Sequence, residues 1–310
     1  MSRAEDAVTT GSDASAGTRL EFTILGCGSS GGVPRVGGDW GACNPVNPRN
    51  RRRRCALLVQ RISPHGTTTV LIDTGADMRE QLLSAGVSDV DAVLYTHAHA
   101  DHIHGIDDLR ALALVRRRRI DVYMDEPTSL RLHASFGYCF ATPPGSGYPP
   151  ILTEHRIRPG TALTLGGPGG DVTVMPFVQR HGEIDSLGFR IGGVAYSSDV
   201  CDLPPESLPH LAGLDLWIVD ALRYTPHVSH FAVSDALSWI RRLQPRRAVL
   251  TDLHVDLDYD ALAAQLPAGV EPAYDGFTVS YAVRGQGGHR EVAPVAGYGA
   301  GRQVAAQQQQ

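Results

Sequence analysis

The chain has 310 residues, a net charge of −5, 42% hydrophobic residues and 20% charged residues, enough to build an ordinary globular core in one large domain or two small ones. The acidic balance excludes a global basic field for nucleic acid or an anionic membrane, and no uncharged apolar run is long enough to span a bilayer. The N-terminus lacks an apolar signal-like stretch and the five cysteines are scattered, so the expectation is a cytoplasmic protein without a disulfide framework, in which all 28 basic residues being arginine points to a GC-rich bacterial genome.

Residues 1–18 are small and polar, and 286–310 are Gly-rich and end in four glutamines; both read as disordered tails around one domain over 19–285. Inside it LEFTIL (20–25), CALLVQ (55–60), TVLID (69–73) and AVLYT (92–96) read as strands bounded by turn formers. A helix is predicted over 77–85 and another over 106–115, where Ile106, Leu109, Ala113 and Leu114 share a face. The stretch 138–160 is rich in proline and glycine and reads as an irregular excursion. Strands follow at 161–165, 171–178, 187–191, 194–198 and 216–220, then a helix at 231–243 and a strand at 248–252. Strand-rich halves with interspersed helices fit a layered α/β or α+β fold.

The chemistry concentrates in THAHADHIHG (96–105), just past an apolar strand. His97 and His99 are two apart, so in an extended segment their rings point the same way, and Asp101 and His102 follow where the chain turns toward a helix. Three imidazoles and a carboxylate within six residues suit a divalent transition metal.

This HxHxDH pattern resembles the first metal-binding motif of the metallo-β-lactamase superfamily. Further pieces follow in order: LIDTGAD (71–77) with Asp73, His181 after VTVMPFV, Asp199 in YSSD (196–199) and His254 in VLTDLHVD (249–256). The resemblance implies a four-layer αββα sandwich in a single domain, with two divalent metal ions, zinc foremost and manganese or iron as alternatives. Carried over position by position, His97, His99 and His181 would bind one metal, Asp101, His102 and His254 the other, and Asp199 would bridge them. Asp101 and Asp73 are also expected to serve catalysis, Asp73 by orienting a ligating histidine. Two cations sharing a water would supply a hydroxide nucleophile at neutral pH.

Within the superfamily the sequence is most similar to the branch of phosphoribosyl 1,2-cyclic phosphate phosphodiesterases. YTPHVSHFAVSDAL (224–237) places His230 where that branch carries an active-site histidine, implying a general acid, with His227 competing for the role. ILGCGSSGGVP (24–34) resembles its opening strand and loop, and GVEPAYDGFTV (269–279) its closing strand pair around an Asp-Gly turn. The branch's cluster of cysteines for a structural zinc is reduced here to Cys43, and Cys27 and Cys55 fit no common zinc spacing. The expected substrate is a small cyclic phosphodiester, without membrane or nucleic-acid partners, and a homodimer is compatible with the sequence. The alternatives are a transfer-RNA 3′-processing nuclease, a lactonase or thioester hydrolase, and a metal-free binding scaffold, which would have lost ligands retained here.

Two other patterns carry less. Gly26–Gly31 satisfies GxGxxG, but the prolines and glycines that follow cannot open the helix of a dinucleotide site. The runs Arg51–Arg54 and Arg116–Arg119 read as solvated faces or phosphate contacts.

Overall fold

A computed structural model describes residues 17–283 and 289–292. In chain order the elements are β1 (Arg19–Gly26), β2 (Ala56–Ser63), β3 (Gly66–Ile72), α1 (Met78–Ser84), β4 (Ala92–Leu94), α2 (Ala100–Ile103), α3 (Leu109–Arg116), β5 (Ile120–Met124), α4 (Glu126–Phe136), β6 (Leu152–Arg156), β7 (Leu163–Leu165), β8 (Val172–His181), β9 (Ile184–Ile191), β10 (Val194–Ser197), β11 (Leu216–Asp220), α5 (Val233–Leu243), β12 (Ala248–Thr251), α6 (Tyr259–Ala263), β13 (Val270–Pro272), β14 (Phe277–Val283) and β15 (His289–Val292).

Two mixed sheets are stacked. One runs β15-β14-β1-β2-β3-β4-β5-β6 and the other β13-β12-β11-β10-β9-β8-β7. The facing surfaces bury Phe22, Leu57, Val70, Leu94, Phe189, Tyr196, Ile218 and Val249 in one apolar layer. On its outer face the first sheet packs Leu58, Leu71 and Val93 against Met78, Leu82, Leu109 and Leu132 of α1, α3 and α4. The second sheet packs Trp217, Val219 and Leu250 against Ala236 and Ile240 of α5 and Leu262 of α6. Strands covered on both faces read as continuous apolar runs such as LWIVD and VLI, whereas IDVYM of β5 alternates buried and half-buried residues. The result is a four-layer αββα sandwich.

The parallel strands matter most for the site. β3 and β4 run parallel in the first sheet, and β10, β11 and β12 in the second, so their C-terminal ends share one mouth, where ligands of open α/β sheets collect. Asp73, Asp199 and Asp252, just past β3, β10 and β12, all adopt left-handed backbone with φ of 67°, 50° and 60°. Aspartate tolerates this conformation better than most residues, and such strain concentrates at functional sites.

Several expectations shift. Within the 138–160 excursion, Leu152–Arg156 pairs in parallel with β5 because Val122 and Leu152 continue the apolar layer. The expected closing strand pair is divided: β13 joins β12 in one sheet and β14 joins β1 in the other. Asp275 of the Asp-Gly turn spans the two, accepting from the Cys27 and Arg53 backbone N–H groups at 3.1 and 2.9 Å. The tail expected from 286 includes β15, which pairs antiparallel with β14 and satisfies backbone groups that an edge strand leaves open; residues 1–16, 284–288 and 293–310 lie outside the described residues. The arginine runs are largely committed to the fold. Arg52 is buried and donates to the Leu257 carbonyl at 2.7 Å, Arg53 pairs with Asp275, Arg54 with Asp77, and Arg116 and Arg118 with Asp91. Among the described residues no helix is long and apolar enough to cross a membrane.

Candidate metal centre and active site

Thr96 and Asp73 set up the first half of the site. Asp73 is fully buried; its Oδ1 accepts from the Thr96 N–H and its Oδ2 from the Thr96 hydroxyl, both at 2.8 Å. The same Oδ2 accepts from Nδ1 of His102 at 2.7 Å. That bond fixes the tautomer and leaves Nε2 of His102 facing the mouth. His97 is held through Nδ1 against the Thr96 hydroxyl at 3.0 Å. His99 precedes the short helix α2, on which Asp101 and His102 sit one after the other.

The second sheet supplies the rest. His181 ends β8 and donates from Nδ1 to the Ser229 carbonyl at 2.7 Å, so its Nε2 points inward, 3.2 Å from Nδ1 of His99. Asp199 lies at the centre. Its Oδ1 is 3.9 Å from Nε2 of His97, 3.8 Å from that of His181 and 3.9 Å from that of His230, while its Oδ2 is 3.1 Å from Nε2 of His102. Asp101 reaches the same His102 nitrogen at 3.4 Å. Burial opposes ionisation of Asp199, but the surrounding imidazoles, His102 first, hold its carboxyl well below the usual range.

His230 sits in the loop before α5, two residues ahead of the helix N-cap at Ala232. Its Nδ1 lies 2.8 Å from Asp220 and 3.0 Å from Asp252, leaving Nε2 turned toward Asp199. Burial works against charging this ring, yet the two carboxylates outweigh it and push its pKa up to about 12. Asp220 and Asp252 were not singled out from the sequence. Their signal is that LWIVD and AVLTD end in aspartate at the same sheet edge, as LID ends in Asp73.

Of the sequence candidates, His97, His99, Asp101, His102, His181, Asp199 and His230 come together, with Asp73 behind His102. His254 does not join them. Its Nε2 lies against the Arg35 guanidinium and its Nδ1 lies 3.0 Å from Asp256, so both ring nitrogens are engaged away from the cluster. His227 stands beside His230 with ring centroids 5.2 Å apart.

Residues 68–252 match the beta-lactamase superfamily domain. The chain belongs to the metallo-β-lactamase superfamily. It is 35% identical to a crystal structure described as a new diphosphatase from the PhnP family, with a TM-score of 0.76 over 84% of this chain and 97% of that one, which places it near that branch. A protein named octanoyltransferase from Porphyromonas gingivalis is 33% identical over 260 residues, covering 83% of this chain and 51% of that protein. A ribonuclease Z from Bradyrhizobium sp. is 33% identical over 174 residues, covering 53% of this chain and 51% of that protein. The chain thus spans about half the length of these curated relatives. The human short-form tRNase Z shares the fold, with a TM-score of 0.57 at 17% identity over 83% of this chain and 98% of that one.

Divalent metal ions are characteristic of this superfamily, and the residues present fit them. Nε2 of His97, Nε2 of His102 and Oδ2 of Asp199 are buried and make no hydrogen bond, although they face one another across the cluster. Donor atoms of His97, His99 and His181, of His97, His102 and Asp199, and of His181, Asp199 and His230 lie within 4.8 Å of one another in each group. Asp101, Asp199, Asp220 and Asp252 bring four carboxyl groups into the same space, and burial raises the pKa of Asp220 and Asp252, a cost that a bound cation would offset.

Proposed function

We propose that the chain is a two-metal hydrolase acting on a small cyclic or activated phosphodiester. His97, His99, His181 and Asp199 would hold one ion and Asp101, His102 and Asp199 the other, with Asp252 available as a further oxygen donor on the side of His230. Bound divalent cations there supply a water of lowered pKa and neutralise charge on phosphoryl oxygens. The chain's own residues do the rest. Asp73 and Thr96 orient His102, and the Ser229 carbonyl orients His181, so ligand nitrogens face inward without rearrangement. Asp220 and Asp252 hold His230 protonated, and its Nε2 is the proton donor to the departing alkoxide.

The observation that carries this reading is the imidazole of His230, clamped on one side by two carboxylates and open on the other toward Asp199. A metal cluster alone does not distinguish phosphorus from carbonyl centres, but a charged proton donor beside it suits a poor alkoxide leaving group. The PhnP-family diphosphatase favours a second reading at the same site, cleavage of a phosphoric anhydride.

The test compares leaving groups. His230→Ala is expected to keep both metal equivalents and lose about 10²–10⁴-fold on an alkyl or cyclic phosphodiester. On bis(p-nitrophenyl) phosphate, whose leaving group departs without a proton, the loss is expected to be much smaller. Equal loss on both substrates, or loss of metal, removes the general-acid assignment; a leaving-group-dependent loss in His227→Ala transfers it to His227. Robust lactone or thioester turnover without phosphodiesterase activity overturns the reading altogether.

A further inference from the structure

The side of the mouth on which His230 stands is built from two segments pressed together. The first is the hairpin of β8 and β9, whose turn is so short that His181 and Ile184 are directly opposed. Opposed residues of an antiparallel pair project from the same face, with Cβ atoms about 5 Å apart. The neighbouring pairs show which face that is. Gln179 and Ser186, two positions along, are buried and hydrogen bonded at 3.2 Å, whereas Arg180 and Asp185 pair on the opposite face at 2.6 Å. Ile184 therefore shares the face of His181, whose Nε2 points into the cluster, and it remains 41% exposed.

The second segment is the loop that carries His230. The Ser229 carbonyl accepts from Nδ1 of His181, and Gly182 lies so close that a Cβ there would stand 2.9 Å from that of Ser229. The His181 and His230 rings meet edge to face with centroids 4.7 Å apart. Val228, next to Ser229, is 86% exposed. Scattered exposed apolar residues are ordinary. What sets this pair apart is its place: Ile184 stands opposite His181, and Val228 is two residues from His230.

We infer that Ile184 and Val228 form an apolar shelf for the leaving-group side of the substrate, and that the carbon skeleton beside the departing oxygen carries a short uncharged alkyl chain. The inference rests on the proposed role of His230: the proton donor marks the direction in which the alkoxide departs, and the shelf flanks the donor. A charged tail would leave both side chains in water, and an anionic one would also approach exposed Glu183, the neighbour of Ile184. An alkyl chain covers the two side chains and removes their apolar surface from water.

The metal-loaded full chain is assayed on the cyclic phosphates of propane-1,2-diol and hexane-1,2-diol, which differ by three methylenes. A fully covered methylene is worth about 3–4-fold, so the wild-type kcat/KM is expected to favour the hexane compound by about 10–50-fold. In the Ile184→Ser/Val228→Ser double variant that ratio is expected to fall toward one. Calorimetry with methylphosphonate and hexylphosphonate is expected to show the same preference, with a more negative heat-capacity change for the longer chain in the wild type alone. A wild-type ratio near one, or a ratio that survives in the double variant, overturns the shelf. If neither ester is hydrolysed the phosphodiesterase reading fails, while the phosphonate pair still decides the shelf. Should the double variant melt early, Val228→Ser alone, on its exposed loop, carries the comparison: a reduced ratio supports the shelf and an unchanged one overturns it.

Discussion

Asp199 touches more of the cluster than any other side chain described, with four imidazole Nε2 atoms within 3.9 Å of its carboxylate. Removing it leaves those nitrogens without a shared anion, so Asp199→Ala is expected to abolish binding of at least one metal equivalent. His254 gives the contrasting expectation. With one ring nitrogen against Arg35 and the other on Asp256, His254→Ala is expected to retain the wild-type metal content. Elemental analysis of the two purified variants checks both; metal loss in His254→Ala would falsify its placement outside the cluster. The two histidines also show how far local pattern reaches. The spacing of His97, His99, Asp101 and His102 is local, so one strand end and one helical turn suffice to converge them. In TDLHVD the choice between Asp252 and His254 depends on a left-handed residue at 252 and on an arginine arriving from a loop more than two hundred positions away, neither of which is local.

At the scale of elements, α6 is a short helix whose beginning is reinforced from another part of the chain. Asp258 caps it by accepting from the Ala261 N–H at 3.0 Å, and its other oxygen accepts from the Asn44 N–H at 3.0 Å and the Asn50 amide at 2.6 Å. Burial raises the Asp258 pKa, but these donors prevail and hold the carboxyl below its ordinary range. A depressed folded-state value means that the stabilisation is fully present above the unfolded pKa of about 3.9 and is lost as pH falls through the folded value. Asp258→Ala is expected to cost about 0.5–2 kcal/mol at neutral pH, the range for an N-cap. Denaturant unfolding of both proteins at pH 7 and near pH 3 checks the sign: the gap is expected to narrow in acid, and a gap that widens contradicts it. The capping aspartate itself is visible in LDYDAL, whereas its tie to Asn44 and Asn50 exists only because the β1–β2 loop folds back across the mouth.

At the scale of the whole molecule the metal centre joins two sheets: His97, His99, Asp101 and His102 come from the first, His181 and Asp199 from the second. Cations bound between them are therefore expected to stabilise the sandwich as a unit. At a hundredfold excess of free metal over its Kd, linkage supplies about 2.7 kcal/mol. For a domain of this size that corresponds to a Tm drop of roughly 5–10 °C on chelation. Calorimetric melting with and without EDTA checks this, and an unchanged Tm speaks against ions that bridge the sheets.

The sequence by itself determined most of the apolar strands, the helices α1, α3 and α5 among those packed on their outer faces, and the HxHxDH segment, because each follows from periodicity or from spacing within a few residues, whereas α4 and α6 were not anticipated. It also revealed the aspartates that end the strands, although not the purpose of Asp220 and Asp252. The tertiary structure decided which C-terminal strand joins which sheet, that the arginine runs are mostly internal ties, and that His230 is held by two carboxylates while His254 turns to Arg35. These depend on pairing between segments remote in the chain. There burial and the need to satisfy every buried polar group select among arrangements that local propensity leaves equally open.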